Sequence, residues 1–110
     1  MGSNDICDKY NCEYLPLAED SIVGISKSIR KGLMPIHGLR HPIEGNTSRW
    51  YIWSGDYSED PNFFEPMHAY HLKEICPHII QYLGLSPGYR FLISDDGFED
   101  VWEDKSLLDI

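Results

Sequence analysis

Five histidines are the first residues in this chain that could do chemistry. His68 and His71 stand three apart, and Glu74 follows at the same interval. On a helix that spacing puts side chains on one face, so two imidazoles and a carboxylate could share a metal. A zinc-protease helix instead sets its two histidines four apart around a glutamate, and this pattern departs from it. His78 falls beyond Pro77, while His37 and His41 belong to an earlier segment. The spacing favours ordinary surface histidines, with no metal and no cofactor expected. A metal-dependent hydrolase using His68, His71 and nearby carboxylates is the alternative it leaves open. Cysteine chemistry has less support. Cys7 and Cys12 lie in a polar segment with no second close pair, so a four-cysteine zinc framework is absent. Cys76 precedes Pro77 at the end of an apolar helix, where burial makes a thiol inert.

Carboxylates are plentiful. Asp95, Asp96, Glu99, Asp100, Glu103 and Asp104 fall within ten residues that contain no basic residue. The stretch lacks the alternating acids of a helix-loop-helix calcium loop. It reads either as a solvated hairpin or as an electronegative patch for a basic partner. Asp56, Glu59 and Asp60 form a second acidic stretch. The opposite bias lies earlier, in Lys27, Arg30, Lys31, Arg40 and Arg49, with only Glu44 against them between residues 21 and 50.

The chain has 110 residues and a net charge of -9, from 18 acidic and 9 basic residues. That length fits one domain, and the 42% hydrophobic content is globular. The charge repels nucleic acid and anionic membrane, so neither is an expected partner. Sparse cysteines, no apolar run long enough to span a bilayer and no signal-peptide pattern point to the cytoplasm.

The elements that must position these residues follow from pattern. Residues 1–20 read as a polar N-terminal arm, and 21–110 as a single α+β domain. Residues 21–26 form a β-branched strand, 27–32 a helical turn, and 33–39 an edge strand that tolerates Pro35. Arg49 to Ser54 gives the strongest strand signal, with Trp50 and Ile52 facing one way and Tyr51 and Trp53 the other. Residues 56–66 read as a loop. Helices follow at 67–75 and 77–83, divided by Pro77, with Leu72, Ile75, Ile79 and Leu83 as the core stripe. Tyr89 to Ser94 and Phe98 to Trp102 form a hairpin around a two-residue turn at Asp96-Gly97. Leu107, Leu108 and Ile110 fold back onto the body. The expected fold is a small antiparallel sheet with a C-terminal hairpin and a Pro-interrupted helix packed on one face.

Four features together resemble immunity protein family 33, a bacterial family of polymorphic toxin systems and formerly a domain of unknown function. They are Ile25-Ser26-Lys27, Arg49-Trp50-Tyr51-Ile52-Trp53-Ser54-Gly55-Asp56, Ile75-Cys76-Pro77-His78-Ile79 and Pro87-Gly88-Tyr89-Arg90-Phe91. The similarity spans roughly residues 22–102. The family often carries Gly before the first Trp of its strand, where this chain has Arg49. The resemblance implies an α+β protein that protects a bacterium from a toxin by binding and occlusion, with no catalytic residues to transfer. A regulatory protein-interaction module unrelated to toxins is a further alternative. Trp and Tyr anchor interfaces and surrounding acids steer approach. The expected partner-binding residues are therefore the exposed members of Trp53, Asp56, Tyr57, Glu59, Asp60, Glu99, Asp100, Trp102 and Glu103. Trp102 stands apart in this set, since either it or Val101 must cover the helix, and the pattern leans towards Trp102.

Overall fold

The computed structural model describes residues 5–15, 17, 20–31, 34–42, 47–55, 58, 60 and 62–108. It is an α+β fold built on one six-stranded sheet. The strands are β1 (Ile22–Ser26), β2 (Ile36–Arg40), β3 (Thr47–Ser54), β4 (Phe64–His68), β5 (Tyr89–Ile93) and β6 (Glu99–Glu103). Their spatial order is β4-β1-β3-β2-β5-β6. Every neighbouring pair is antiparallel except β1 with β3, which run parallel. Two α-helices, α1 (Asp5–Tyr10) and α2 (Ala69–Ile75), and a 3-10 helix over Pro77–Tyr82 contribute to the core.

Alternation along the strands sorts the sheet into two faces. Val23, Ile25, Ile36, Trp50, Ile52, Phe91, Ile93 and Val101 are buried and form one cluster with Leu72, Ile79 and Leu83 of the helical segment. Gly38 sits among them because the Phe91 ring lies on it. A Cβ there would come within 2.2 Å of that ring. Pro77 divides the helical segment as its sequence requires. Cys76 before it is extended (φ -155°) and donates its N–H back to the Leu72 carbonyl, closing α2. The second helix begins at Pro77 but is wound as a 3-10 helix.

Several elements differ from the expectation. Residues 64–68 are strand, not loop and helix. Phe-Glu-Pro-Met-His has no clean alternation, and its Pro66 argues against a central strand. β4 is an edge strand, and edges are where proline is tolerated. β2 is central rather than an edge, because Pro35 lies just before it and every residue from Ile36 to Arg40 can donate to the ladder. The 1–20 segment contains α1, whose Ile6 and Cys7 enter the core, and Tyr14 bridges to Leu85.

β3 carries an irregularity against β1, where Ile22 to Gly24 faces Thr47 to Tyr51. Arg49 lies inside it at φ 63°. That left-handed backbone suits glycine, which is the residue the resembling family often has there. Arg49 carries the bulge while its carbonyl accepts the His41 N–H at 3.0 Å.

The β5–β6 hairpin exists, with a different turn. Gly97 N–H donates to the Ser94 carbonyl at 3.3 Å, and Ser94 N–H donates to the Phe98 carbonyl at 3.1 Å. Gly97 is at φ 91°, while Asp96 is not left-handed. The connection is therefore a three-residue loop, Asp95-Asp96-Gly97, with Gly at the left-handed position. A Cβ at Gly97 would meet nothing within 4 Å, so only the backbone resists substitution. Gly97→Val is expected to cost about 1–3 kcal/mol through that strain. An unchanged melting temperature would contradict it.

Candidate partner-binding surface

The antiparallel registers bring the hairpin loop to one end of the sheet. Ile93 at the end of β5 pairs with Ile36 at the start of β2, and Ile36 pairs with Ser54 at the end of β3. The stretch that joins β3 to β4 therefore leaves from the same end as the hairpin loop. One strand separates β3 from β5, a lateral spacing of roughly 10 Å. Asp95, Asp96 and Phe98 are exposed at the hairpin tip, and Asp96 accepts the Phe98 N–H at 3.1 Å. Asp60 is exposed and accepts the Asn62 N–H at 2.9 Å. Asp56, Tyr57 and Glu59 lie outside the described residues.

The contacts made along β6 divide the acidic run, which no composition argument could do. Glu99 turns inward. Its two oxygens accept Lys9 Nζ at 2.6 Å, Tyr10 Oη at 2.8 Å and Tyr82 Oη at 2.6 Å. Asp104 accepts from Ser106 and from Arg90 at 3.2 Å. These two acids hold the fold together. Asp95, Asp96, Asp100 and Glu103 face solvent.

The tryptophans are also redistributed. Trp53 is only 6% exposed, stacked on His37 at 4.9 Å and edge-on to Phe64 at 6.2 Å. It therefore packs within the second sheet face, with Tyr51 beside it against Phe64 at 5.3 Å. Trp102 is the outward one at 37% exposure, its ring under the Arg90 guanidinium at 5.6 Å. Val101 takes the core position that the pattern leaned towards giving Trp102. Leu107 folds back and is buried, Leu108 is exposed, and Ile110 lies outside the described residues.

A cleft of about 340 Å³ opens at the hairpin end, lined by Met34, Gln81, Tyr82, Ser94, Phe98 and Glu99 among others. Lys9, Tyr10 and Tyr82 also belong to this region through Glu99, although nothing in the sequence pattern pointed to them. No local signal marks them, since Lys9 and Glu99 are 90 positions apart.

His68 and His71 do approach, with ring centroids 6.4 Å apart. Tyr70 stacks on His68 at 5.2 Å, and Glu74 lies 3.9 Å from His71. Among the described residues no group of three or more His, Cys, Asp or Glu is placed to hold a metal ion. Burial, together with Cys12 and Asp8 nearby, pushes the Cys7 thiol up to about 12, so it is protonated and unreactive. No helix among the described residues is long and apolar enough to cross a membrane.

The donors around Glu99 give a pH dependence. Lys9, then Tyr82 and Tyr10, hold its carboxyl below the ordinary glutamate range. A carboxylate with a lowered folded value contributes stability above its unfolded pKa of about 4.3, and loses it as pH falls through the folded value. Glu99→Gln should make acid unfolding below about pH 4.3 shallower. A titration of melting temperature against pH checks this, and identical slopes in the two proteins would contradict it.

The sheet, its helical layer and its hairpin define a small α+β sheet domain with acids gathered at one strand end and edge. The chain belongs to the Imm33-like domain family, which matches residues 2–104. That match takes in α1, beyond the 22–102 span of the motif resemblance. No curated protein and no solved structure matches the chain.

Proposed function

We propose that this protein is a toxin-neutralising, immunity-type binding domain that acts by occlusion rather than catalysis. The reading is carried by the solvent-facing acids of the β5–β6 hairpin beside exposed Trp102, in a chain of the Imm33-like family. Asp95, Asp96, Asp100 and Glu103 form the steering surface, with Asp60 and the neighbouring acids Asp56 and Glu59 as its other border. Trp102 and Tyr57 supply anchors. The partner is a basic toxin domain whose cleft the acidic end plugs; with a net charge of -9, nucleic acid and anionic membrane are not partners. The protein works in the cytoplasm, where the thiols of Cys7, Cys12 and Cys76 stay reduced.

The test begins with survival. A toxin gene is expected beside this one; cells expressing its product should grow only when the chain is co-expressed, and loss of growth despite co-expression would sink the reading. With the purified pair, Asp100→Lys with Glu103→Lys should slow association about tenfold and flatten its salt dependence. Glu99 is excluded from this variant because it holds the fold. Folding should survive, since exposed substitutions usually shift stability by only about 0.5 kcal/mol. Trp102→Ala should leave the association rate nearly unchanged and speed dissociation. A charge-reversed variant that binds at the wild-type rate at low salt would end the electrostatic part.

A further inference from the structure

β6 ends the sheet, and its outer side is unpaired among the described residues. Which of its backbone groups face outward can be counted. Asp104 N–H donates to the Gly88 carbonyl at 2.6 Å, and Ser94 N–H donates to the Phe98 carbonyl at 3.1 Å. Both pairs continue the β5–β6 register, and bonded pairs alternate along an antiparallel ladder. From either end the count agrees. Asp100 and Trp102 bond inward to β5. Glu99, Val101 and Glu103 point their N–H and C=O groups outward.

An outward row of backbone donors and acceptors is a template for another strand. Its side chains decide which strand. β6 reads Glu-Asp-Val-Trp-Glu, with three acids and no base. A second copy is disfavoured. Two copies paired antiparallel about Val101 would set Glu99 opposite the second copy's Glu103 twice over, and like charges directly opposite destabilise a sheet. A strand carrying Lys or Arg meets the reverse situation. Asp100 lies on one face of the edge and Glu103 on the other, so a basic strand with charges on either face finds a counter-charge. Trp102, already under Arg90, offers its ring to a cation or an apolar side chain beside it.

We propose that the partner docks by adding an extended basic segment to the free edge of β6 as a seventh strand. This rests on the reading of the chain as a partner-binding domain and specifies its mode. The backbone ladder supplies affinity, and the charges of β6 select the partner and exclude self-pairing.

The test uses the full chain and a short fluorescent peptide repeating two lysines and two valines, which as a strand carries lysines on both faces. Binding should protect the amides of Glu99, Val101 and Glu103 from hydrogen exchange, while Asp100 and Trp102 are already protected in the free protein. The same peptide with every backbone nitrogen methylated keeps its charge and has no backbone donor on either edge for the ladder, so it should bind at least about tenfold more weakly. Glu103→Pro removes one outward donor at a position that does not bond to β5, and should weaken binding about tenfold beyond Glu103→Ala. The exchange and methylation results need no variant, so the proposal remains testable if Glu103→Pro misfolds. No binding, equal binding of the methylated peptide, or unchanged exchange at Glu99, Val101 and Glu103 would overturn it. So would a wild-type dimer in solution that Glu103→Pro splits, which would seat a second copy on the edge. The survival assay separates the two ideas. If folded Glu103→Pro protects cells as well as the wild type, the edge proposal fails and the immunity reading stands. If the wild type does not protect while the peptide still seats on β6, the immunity reading fails alone.

Discussion

Trp50→Ala should lower the unfolding free energy by about 3–5 kcal/mol, the usual cost of deleting a large buried aromatic ring. Trp50 is fully buried in central strand β3. Its ring packs against Phe91 at 5.6 Å and lies beneath the Arg40 guanidinium at 5.7 Å. Its Nε1–H donates to the Leu83 carbonyl at 3.1 Å, tying the sheet to the end of the 3-10 helix. Alanine would leave a cavity and at the same point strip the Leu83 carbonyl of the indole donor. Since a domain of this size is held by only about 5–15 kcal/mol, the variant should unfold at far lower urea. Trp50→Phe should recover most of the loss, because it restores ring volume and omits only the hydrogen bond, worth about 1 kcal/mol. A Trp50→Ala midpoint within error of the wild type would refute this account of the core.

Arg40→Met should be the second large effect, about 3 kcal/mol or more, despite conserving much of the side chain's volume. Arg40 is 1% exposed. Its Nη1 donates to the Leu15 carbonyl at 2.8 Å and to the Leu85 carbonyl at 2.7 Å. Burial pushes its pKa down to about 10, which still leaves it charged at neutral pH. Methionine would strip a charge-assisted donor from both carbonyls, and a buried acceptor left without a partner costs about 1–3 kcal/mol. The damage should spread in a defined direction. Leu15 is also held by its own N–H to the Gly84 carbonyl at 2.7 Å, so α1 and the segment after it should loosen first. Hydrogen exchange and limited proteolysis should show residues 5–15 opening before the sheet. Uniform loss of protection across β3 and the N-terminal segment together would contradict that order.

Local pattern determined a good part of this protein. Two bulky faces on Arg49 to Ser54 marked a strand that was either central or open for binding on one aromatic face, and the sheet order makes it central. Pro77 divided the helical segment through its missing donor, and Gly97 marked a hairpin turn through its backbone freedom. The short motifs around Trp50, Cys76 and Gly88 were enough to suggest the family, because each reflects a backbone or packing demand carried by adjacent residues. What the tertiary structure alone decided is everything that depends on partners distant in the chain. β4 is a strand because β1 offers it an edge, although its own residues alternate poorly around Pro66. β1 and β3 lie parallel through a register with a bulge at Arg49, which no residue spacing announces. Trp53 is covered and Trp102 is open because one strand is central and the other is an edge, though both are tryptophans in similar strand patterns. Glu99 and Asp104 serve the fold while Asp100 and Glu103 face solvent. Glu99 and Glu103 share a face of β6, and what separates them is that Lys9, Tyr10 and Tyr82 reach Glu99 once the chain has folded. Composition counts charges; only the packed sheet assigns each one a face.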